Sequence, residues 1–287
     1  MLVERRFDTG EVVLNYAEGP NNGPPLWLLH GVLSKWQFYH PIIPYLQSRW
    51  HIHATDLRGH GKSEHTPQQY GLEYYYNDLQ QFIDNKITEP VTLVGHSLGG
   101  VMTCMLASKN SDKVKAAILL DPPLFFSDRK SKGPLELWKT FHKIGSFKGT
   151  LKEKIRYTQN LDVSFTGSPM KFVDAFGESA VLDWSMNNFD PGILDLMIKA
   201  RELQEFSVID GWYDPEKVIR SIDCPVLLIQ AGKGLLSLSE SDRAEAQGWF
   251  KDLIQVRLMG HDHPLGISQW NTSDVMRPIS VFLESLL

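Results

Sequence analysis

Short apolar runs alternate with amphipathic stretches along the first 120 positions of the chain. Val12 to Tyr16, Leu26 to Leu29, Ile52 to Thr55, Val91 to Val94 and Ala116 to Leu120 are brief and bounded by turn residues, a pattern that predicts strands. Trp36 to Leu46 and Tyr74 to Ile87 carry apolar residues at helical spacing, with Leu79, Phe82 and Ile83 on one face. Another helix leads from Gly99-Gly100 toward Lys109. Cys224 to Ala231 and Ile254 to Leu258 read as further strands, Glu240 to Lys251 and Ser273 to Leu287 as further helices. Continuously apolar strands alternating with helices call for an α/β fold, a mostly parallel sheet with helices on both faces.

The rhythm changes between Leu124 and about Ile222, where helical, aromatic and Met-rich segments follow one another with no convincing strand. This predicts an inserted helical cap over 124–222, dividing a core domain into 1–123 and 223–287.

Composition narrows the function. The chain has 287 residues, 42% hydrophobic and 22% charged, enough for a sizeable core. Its net charge of −5 has the wrong sign for holding a phosphate backbone, so no nucleic-acid partner is expected. No run of about 18 apolar residues appears, and Glu4, Arg5, Arg6 and Asp8 occupy the stretch where an export signal would be apolar. The expectation is a cytoplasmic protein without a membrane partner; the oligomeric state is not legible. Cys104 and Cys224 are too few and too far apart for a disulfide framework or a zinc or redox motif. His51-Ile-His53 resembles part of a dinuclear metal motif, but alternation along a strand explains it more cheaply. No metal is expected. Asp56 to Ser63 ends like a phosphate-binding loop, yet Asp56 stands where the first glycine belongs, and no G-x-G-x-x-G follows a strand. No cofactor is expected.

The candidate chemistry lies in Gly95-His96-Ser97-Leu98-Gly99, a G-x-S-x-G pentapeptide between an apolar strand and a helix. A serine exposed on so sharp a turn needs small residues two before and two after it, because neighbouring backbone closes on those positions. The His30-Gly31 turn, Asp56-Leu-Arg-Gly-His-Gly-Lys-Ser63, the pentapeptide and Gly260-His261, in that order, resemble the α/β-hydrolase superfamily, and in particular its serine-nucleophile members with a helical cap.

The resemblance implies a Ser-His-acid triad and an acyl-enzyme. Ser97 is then the nucleophile. His261 matches the family's Gly-His loop, with His263 the competitor two residues on. In most members the acid follows the strand matching Val226 to Ala231, but Gly232 to Ser239 holds no carboxylate. Asp121, at the end of the preceding strand, is the expected acid, with Glu240 and Asp242 as alternatives. The oxyanion donors implied are the backbone N–H groups of Val32 and Leu98. His96, Phe125, Trp184 and His263 are expected to contact a small-molecule ester, an apolar one because the cap is rich in aromatics. The reading is a cofactor-independent carboxylic ester hydrolase. Its rivals are a carbon-carbon bond hydrolase, a lyase or a cofactor-free dioxygenase on the same fold, and a non-catalytic ligand receptor.

Overall fold

The computed structural model describes residues 1–124, 135–163, 169–203, 205, 209, 211, 213–232, 240–267 and 271–287. Eight of its strands form one sheet: β1 (Val3–Asp8), β2 (Val13–Glu18), β3 (Pro25–Leu29), β4 (His51–Thr55), β5 (Val91–His96), β6 (Val114–Leu120), β9 (Val226–Ala231) and β10 (Leu253–Leu258). They lie in the order β1-β2-β4-β3-β5-β6-β9-β10; β1 and β2 are antiparallel to their neighbours and the remaining pairs are parallel. The expected α/β class is the observed one.

Alternation along each central strand divides the core between the two faces of the sheet. Trp27 and Leu29 of β3 pack with α2 (Leu72–Lys86) and α3 (Leu98–Lys109), whereas Leu26 and Leu28 join α1 (Ile43–Leu46) and α10 (Ser273–Glu284) on the other face. The helix read over Trp36 to Leu46 is two pieces, a 3-10 turn at Trp36–Tyr39 and α1. Pro41 and Pro44 cannot donate to a continuous helical ladder, and they divide it. β1 was not anticipated; only Phe7 is buried along it, so it lacks the apolar alternation of a core strand.

Between β6 and β9 lie α4 (Leu135–Ser146), α5 (Leu151–Asn160), the two-residue strands β7 (Asp162–Val163) and β8 (Met170–Lys171), α6 (Phe172–Met186), α7 (Gly192–Leu203) and α8 (Pro215–Arg220); α9 (Glu240–Gln247) follows β9. The β7–β8 pair is the strand content that the helical pattern of this segment did not announce. The segment is tied to the loop after β4. Gly61 N–H donates to Asn188 O (2.8 Å), Asp190 N–H to Gly59 O (2.7 Å), and the Tyr70 hydroxyl to Asp190 Oδ2 (2.6 Å). No helix among the described residues is long and apolar enough to cross a membrane.

Two buried histidines hold the loop after β3. His30 donates from Nδ1 to Gly31 O (2.7 Å) and accepts at Nε2 from Leu57 N–H (3.0 Å). His60 donates from Nδ1 to Arg58 O (2.8 Å) and accepts at Nε2 from Leu33 N–H (3.0 Å). Leu33 has φ 61°, a left-handed conformation costly for leucine, and the His60 bond is one of those that keep it there. Both rings must be neutral to accept. Burial lowers His30 to about 4; burial, and then the nearby His30 ring, lower His60 to about 3.

Released from the fold, these imidazoles would take protons near pH 6.5. Below that pH the unfolded chain binds more protons than the native one, so their stabilisation is complete above about pH 6.5 and is lost as pH falls toward 4. The Asp56 and Asp78 carboxyls, raised by burial, act in the opposite sense. The urea midpoint of the wild-type protein should fall between about pH 7.5 and 4.5, the two rings together contributing on the order of a few kcal/mol. His60→Gln should start from a lower midpoint and show a shallower decline. Parallel slopes for the two proteins would count against this account.

Candidate active site

Ser97 is the residue between β5 and α3, with φ 52° and ψ −119°. A non-glycine residue held there costs about 1–3 kcal/mol, which the surrounding contacts must over-determine. Ser97 N–H donates to Leu120 O on β6 (3.0 Å), and its carbonyl accepts from Gly100 N–H (2.8 Å) and Val101 N–H (3.2 Å).

The glycines on either side meet the steric requirement read from the sequence. A Cβ on Gly95 would lie 2.1 Å from Gly99 O and 2.4 Å from Thr103 Oγ1; one on Gly99 would lie 2.0 Å from Leu29 O. Gly31 is a third, since its Cβ would meet Ser97 Cβ and His96 Nδ1 at 2.9 Å each. The loop after β3 is therefore pressed directly against the serine. Val32 follows Gly31, and its N–H has no hydrogen bond among the described residues. The N–H of Leu98, at the first position of α3, precedes the first intrahelical bond. Both expected oxyanion donors are thus backbone amides flanking the elbow.

Asp121 stands at the end of β6, beside the end of β5, with φ 46° and its carboxylate buried. Oδ1 accepts from Ala231 N–H at the end of β9 (3.0 Å), and Oδ2 accepts from His263 Nδ1 at 2.7 Å. The histidine bonded to Asp121 is thus His263, the competitor named from the sequence, and not the expected His261. His261 does not reach Asp121; its Nε2 bonds Asp274 Oδ2 (2.9 Å) in the first turn of α10. β10 ends at Leu258 and the chain turns at once, with His261 N–H donating to Leu258 O (3.0 Å). His261 is carried toward the helix, and the two further residues bring His263 back over the sheet. The Gly-His dipeptide had pointed to His261 as the partner of Asp121. A carboxylate in the first turn of the closing helix, ready to take the first histidine, was the signal available against it.

His96 lies beneath His263. Its ring is stacked on Phe38 (centroids 4.6 Å, interplanar 23°) and sits 4.7 Å from that of His263. Its Nε2 donates to the His263 backbone carbonyl (2.9 Å), while Nδ1 is buried without a hydrogen bond among the described residues. Burial, reinforced by the His263 ring, pushes His96 well below the usual imidazole range and keeps it neutral. Its contact to the loop of His263 was not legible in the sequence. Trp184 gives its ring face to Phe141 (centroids 3.8 Å, interplanar 22°) and meets Phe189 edge-on, within the helical segment. Phe125 and the side chains of Glu240 and Asp242 lie outside the described residues. The Asp56 to Ser63 loop closes on itself: Asp56 accepts from Trp36 N–H (2.7 Å) and Lys62 N–H (3.0 Å), and Ser63 Oγ donates to Asp56 O (2.6 Å).

Comparison with known proteins agrees with this architecture. A family model described as alpha/beta hydrolase fold matches residues 24–279. The 2-(acetamidomethylene)succinate hydrolase of Mesorhizobium japonicum is 32% identical over 120 residues, 42% of this chain and 43% of that protein. Lipase LipV of Mycobacterium tuberculosis is 34% identical over 104 residues, 36% of this chain and 39% of that protein. The matched stretch therefore spans less than half of either relative. The crystal structure of E-2-(acetamidomethylene)succinate hydrolase superposes with a TM-score of 0.71 at 20% identity, covering 99% of this chain and 100% of that one, a likeness of fold. With the family match running over most of its length and a strained serine between β5 and α3, the chain belongs to the α/β-hydrolase family.

Proposed function

We propose that the protein is a cofactor-independent serine hydrolase of carboxylic esters, in which Ser97 is the nucleophile, His263 the base and then the acid, and Asp121 the residue that orients His263. The observation that carries the reading is the 2.7 Å bond between Asp121 Oδ2 and His263 Nδ1 at the strand ends that also present Ser97. A carboxylate on Nδ1 fixes the proton there, leaving the Nε2 lone pair to accept from a serine hydroxyl. Attack on the carbonyl generates an oxyanion, which the Val32 and Leu98 N–H groups receive. His263 then returns its proton to the leaving alcohol, and water admitted to the same position repeats the sequence in reverse to free the acid. Asp121 is held at both oxygens, so its cost of organisation is met by the fold before substrate arrives.

The segment between β6 and β9 serves in this reading as the cap over 124–222. Its aromatic packing, Phe141 on Trp184 with Phe189 at the edge, favours an apolar acyl or alcohol group over a charged one.

Ser97→Ala should lower kcat/KM for a short-chain aryl ester by about 10³-fold or more, and a fluorophosphonate should label Ser97 in the wild-type protein alone. Turnover retained in the Ser97 variant refutes the reading. The histidine assignment is tested separately: His263→Ala should match the loss at Ser97, whereas His261→Ala should cost less than about tenfold. The reverse order would restore His261 as the base. In a panel of esters and amides that includes 2-(acetamidomethylene)succinate, the apolar esters should show the highest kcat/KM. Preference for the dicarboxylate would replace the proposed substrate class and leave the triad standing.

A further inference from the structure

A second group of chemically capable side chains sits away from Ser97, where the antiparallel strands join the parallel body of the sheet. His51 and His53 occupy alternate positions on β4 and so project from one face; Glu18, at the end of β2, is the direct cross-strand partner of His53. One donor atom from each lies within 4.8 Å of the other two, and no other three His, Cys, Asp or Glu residues do so among the described residues. His51 Nε2 is 3.2 Å from Glu18 Oε1, and the two imidazole rings are 4.3 Å apart. His53 is 4% exposed, and its Nδ1 is buried with no hydrogen bond among the described residues. A buried polar nitrogen without a partner is a recurrent sign that something else binds there.

We propose that Glu18, His51 and His53 bind a divalent transition-metal ion of the zinc class, with water in the fourth position. Two imidazoles and one carboxylate suit zinc, copper or nickel; magnesium and calcium prefer all-oxygen sites. Neighbouring ligands on a tetrahedral ion at about 2.0–2.1 Å are about 3.3–3.4 Å apart, so His51 and Glu18 already stand at nearly that spacing. Only His53 has to close in. Arg5 Nε holds Glu18 Oε2 at 2.5 Å, an outer partner that fixes the carboxylate and leaves Oε1 for the ion. Arg5 also offsets the charge of Glu18, so selectivity rests on the imidazoles. A shallow cavity of about 550 Å³, lined by Glu4, Tyr16 and Lys86 among others, opens beside His53 and provides access.

His51 begins β4, whereas Ser97 and Asp121 follow the carboxyl ends of β5 and β6. The ion therefore takes no part in the ester chemistry; it clamps β2 to β4. The proposal does not depend on the reaction assigned to Ser97.

The test uses untagged full-length protein stripped with a chelator, titrated with Zn²⁺ by calorimetry and with Co²⁺ by visible absorption. The expected result is one ion per chain, the strong absorption of four-coordinate Co²⁺, and a rise in Tm on adding Zn²⁺. His51→Ala and His53→Gln should each weaken binding by at least about tenfold. His51 is part-exposed, so its variant stays folded, which circular dichroism verifies, and its ester turnover should equal that of the wild type. Absence of binding, the weak spectrum of a six-coordinate ion, or binding that survives in His51→Ala but disappears in His263→Ala would each overturn the proposal.

Discussion

The backbone at Ser97 cannot relax without moving three strands. Its positive φ is enforced by the bond from its N–H to Leu120 O on β6 and by α3, whose Gly100 and Val101 N–H groups donate back to the Ser97 carbonyl. The space that this conformation requires exists because Gly95, Gly99 and Gly31 have no Cβ. Gly95 and Gly99 let α3 fold back onto β5 and β3, and Gly31 brings the loop after β3 up to the serine. Positions 31, 32, 97 and 98 are therefore set by one packing problem at the carboxyl ends of the central strands.

Asp121 repeats the device one strand away. It too leaves its strand with positive φ, and its carboxylate spans from the end of β9 to His263. The bond to Ala231 N–H takes the place that a carboxylate after β9 would otherwise need to reach. In the proposed triad the acid lies at the end of β6, and the 232–239 stretch of Gly, Lys, Leu and Ser has no carboxylate. His263 can meet an acid on β6 only by lying over β5 and β6, and the His96 Nε2 bond to its carbonyl pins it there.

What the residue pattern revealed follows from how each element is buried. β3, β5, β6 and β9 are mostly apolar and almost wholly buried because both faces are covered, so their signal is strong in a single sequence. β1 is an exposed edge with a single buried residue, and it gave none. Ser97 was legible because sterics constrain its neighbours to glycine. Asp121 was singled out by the resemblance to the family, some of whose members place an acid at the end of this strand, because the loop after β9 has none. That His263 rather than His261 meets Asp121 was not legible, because a two-residue displacement in a turn changes which way a ring points while leaving composition unchanged.

Histidine is where the limit shows most clearly. His30 and His60 are neutral hydrogen-bond bridges, His96 is a neutral anchor, His261 pairs with a helix-terminal carboxylate, and His263 faces Asp121. One residue type fills these roles because each ring nitrogen donates or accepts according to its surroundings, and burial sets which of the two it does. The strand ends decide the surroundings. His30 after β3 and His60 in the loop after β4 are sealed between backbone carbonyl and amide groups, whereas His261 and His263 in the loop after β10 are only partly buried. Of these rings, His263, only partly covered, is the one bonded to the buried Asp121 carboxylate, and the sealed His30 and His60 hold the loop after β3 in place.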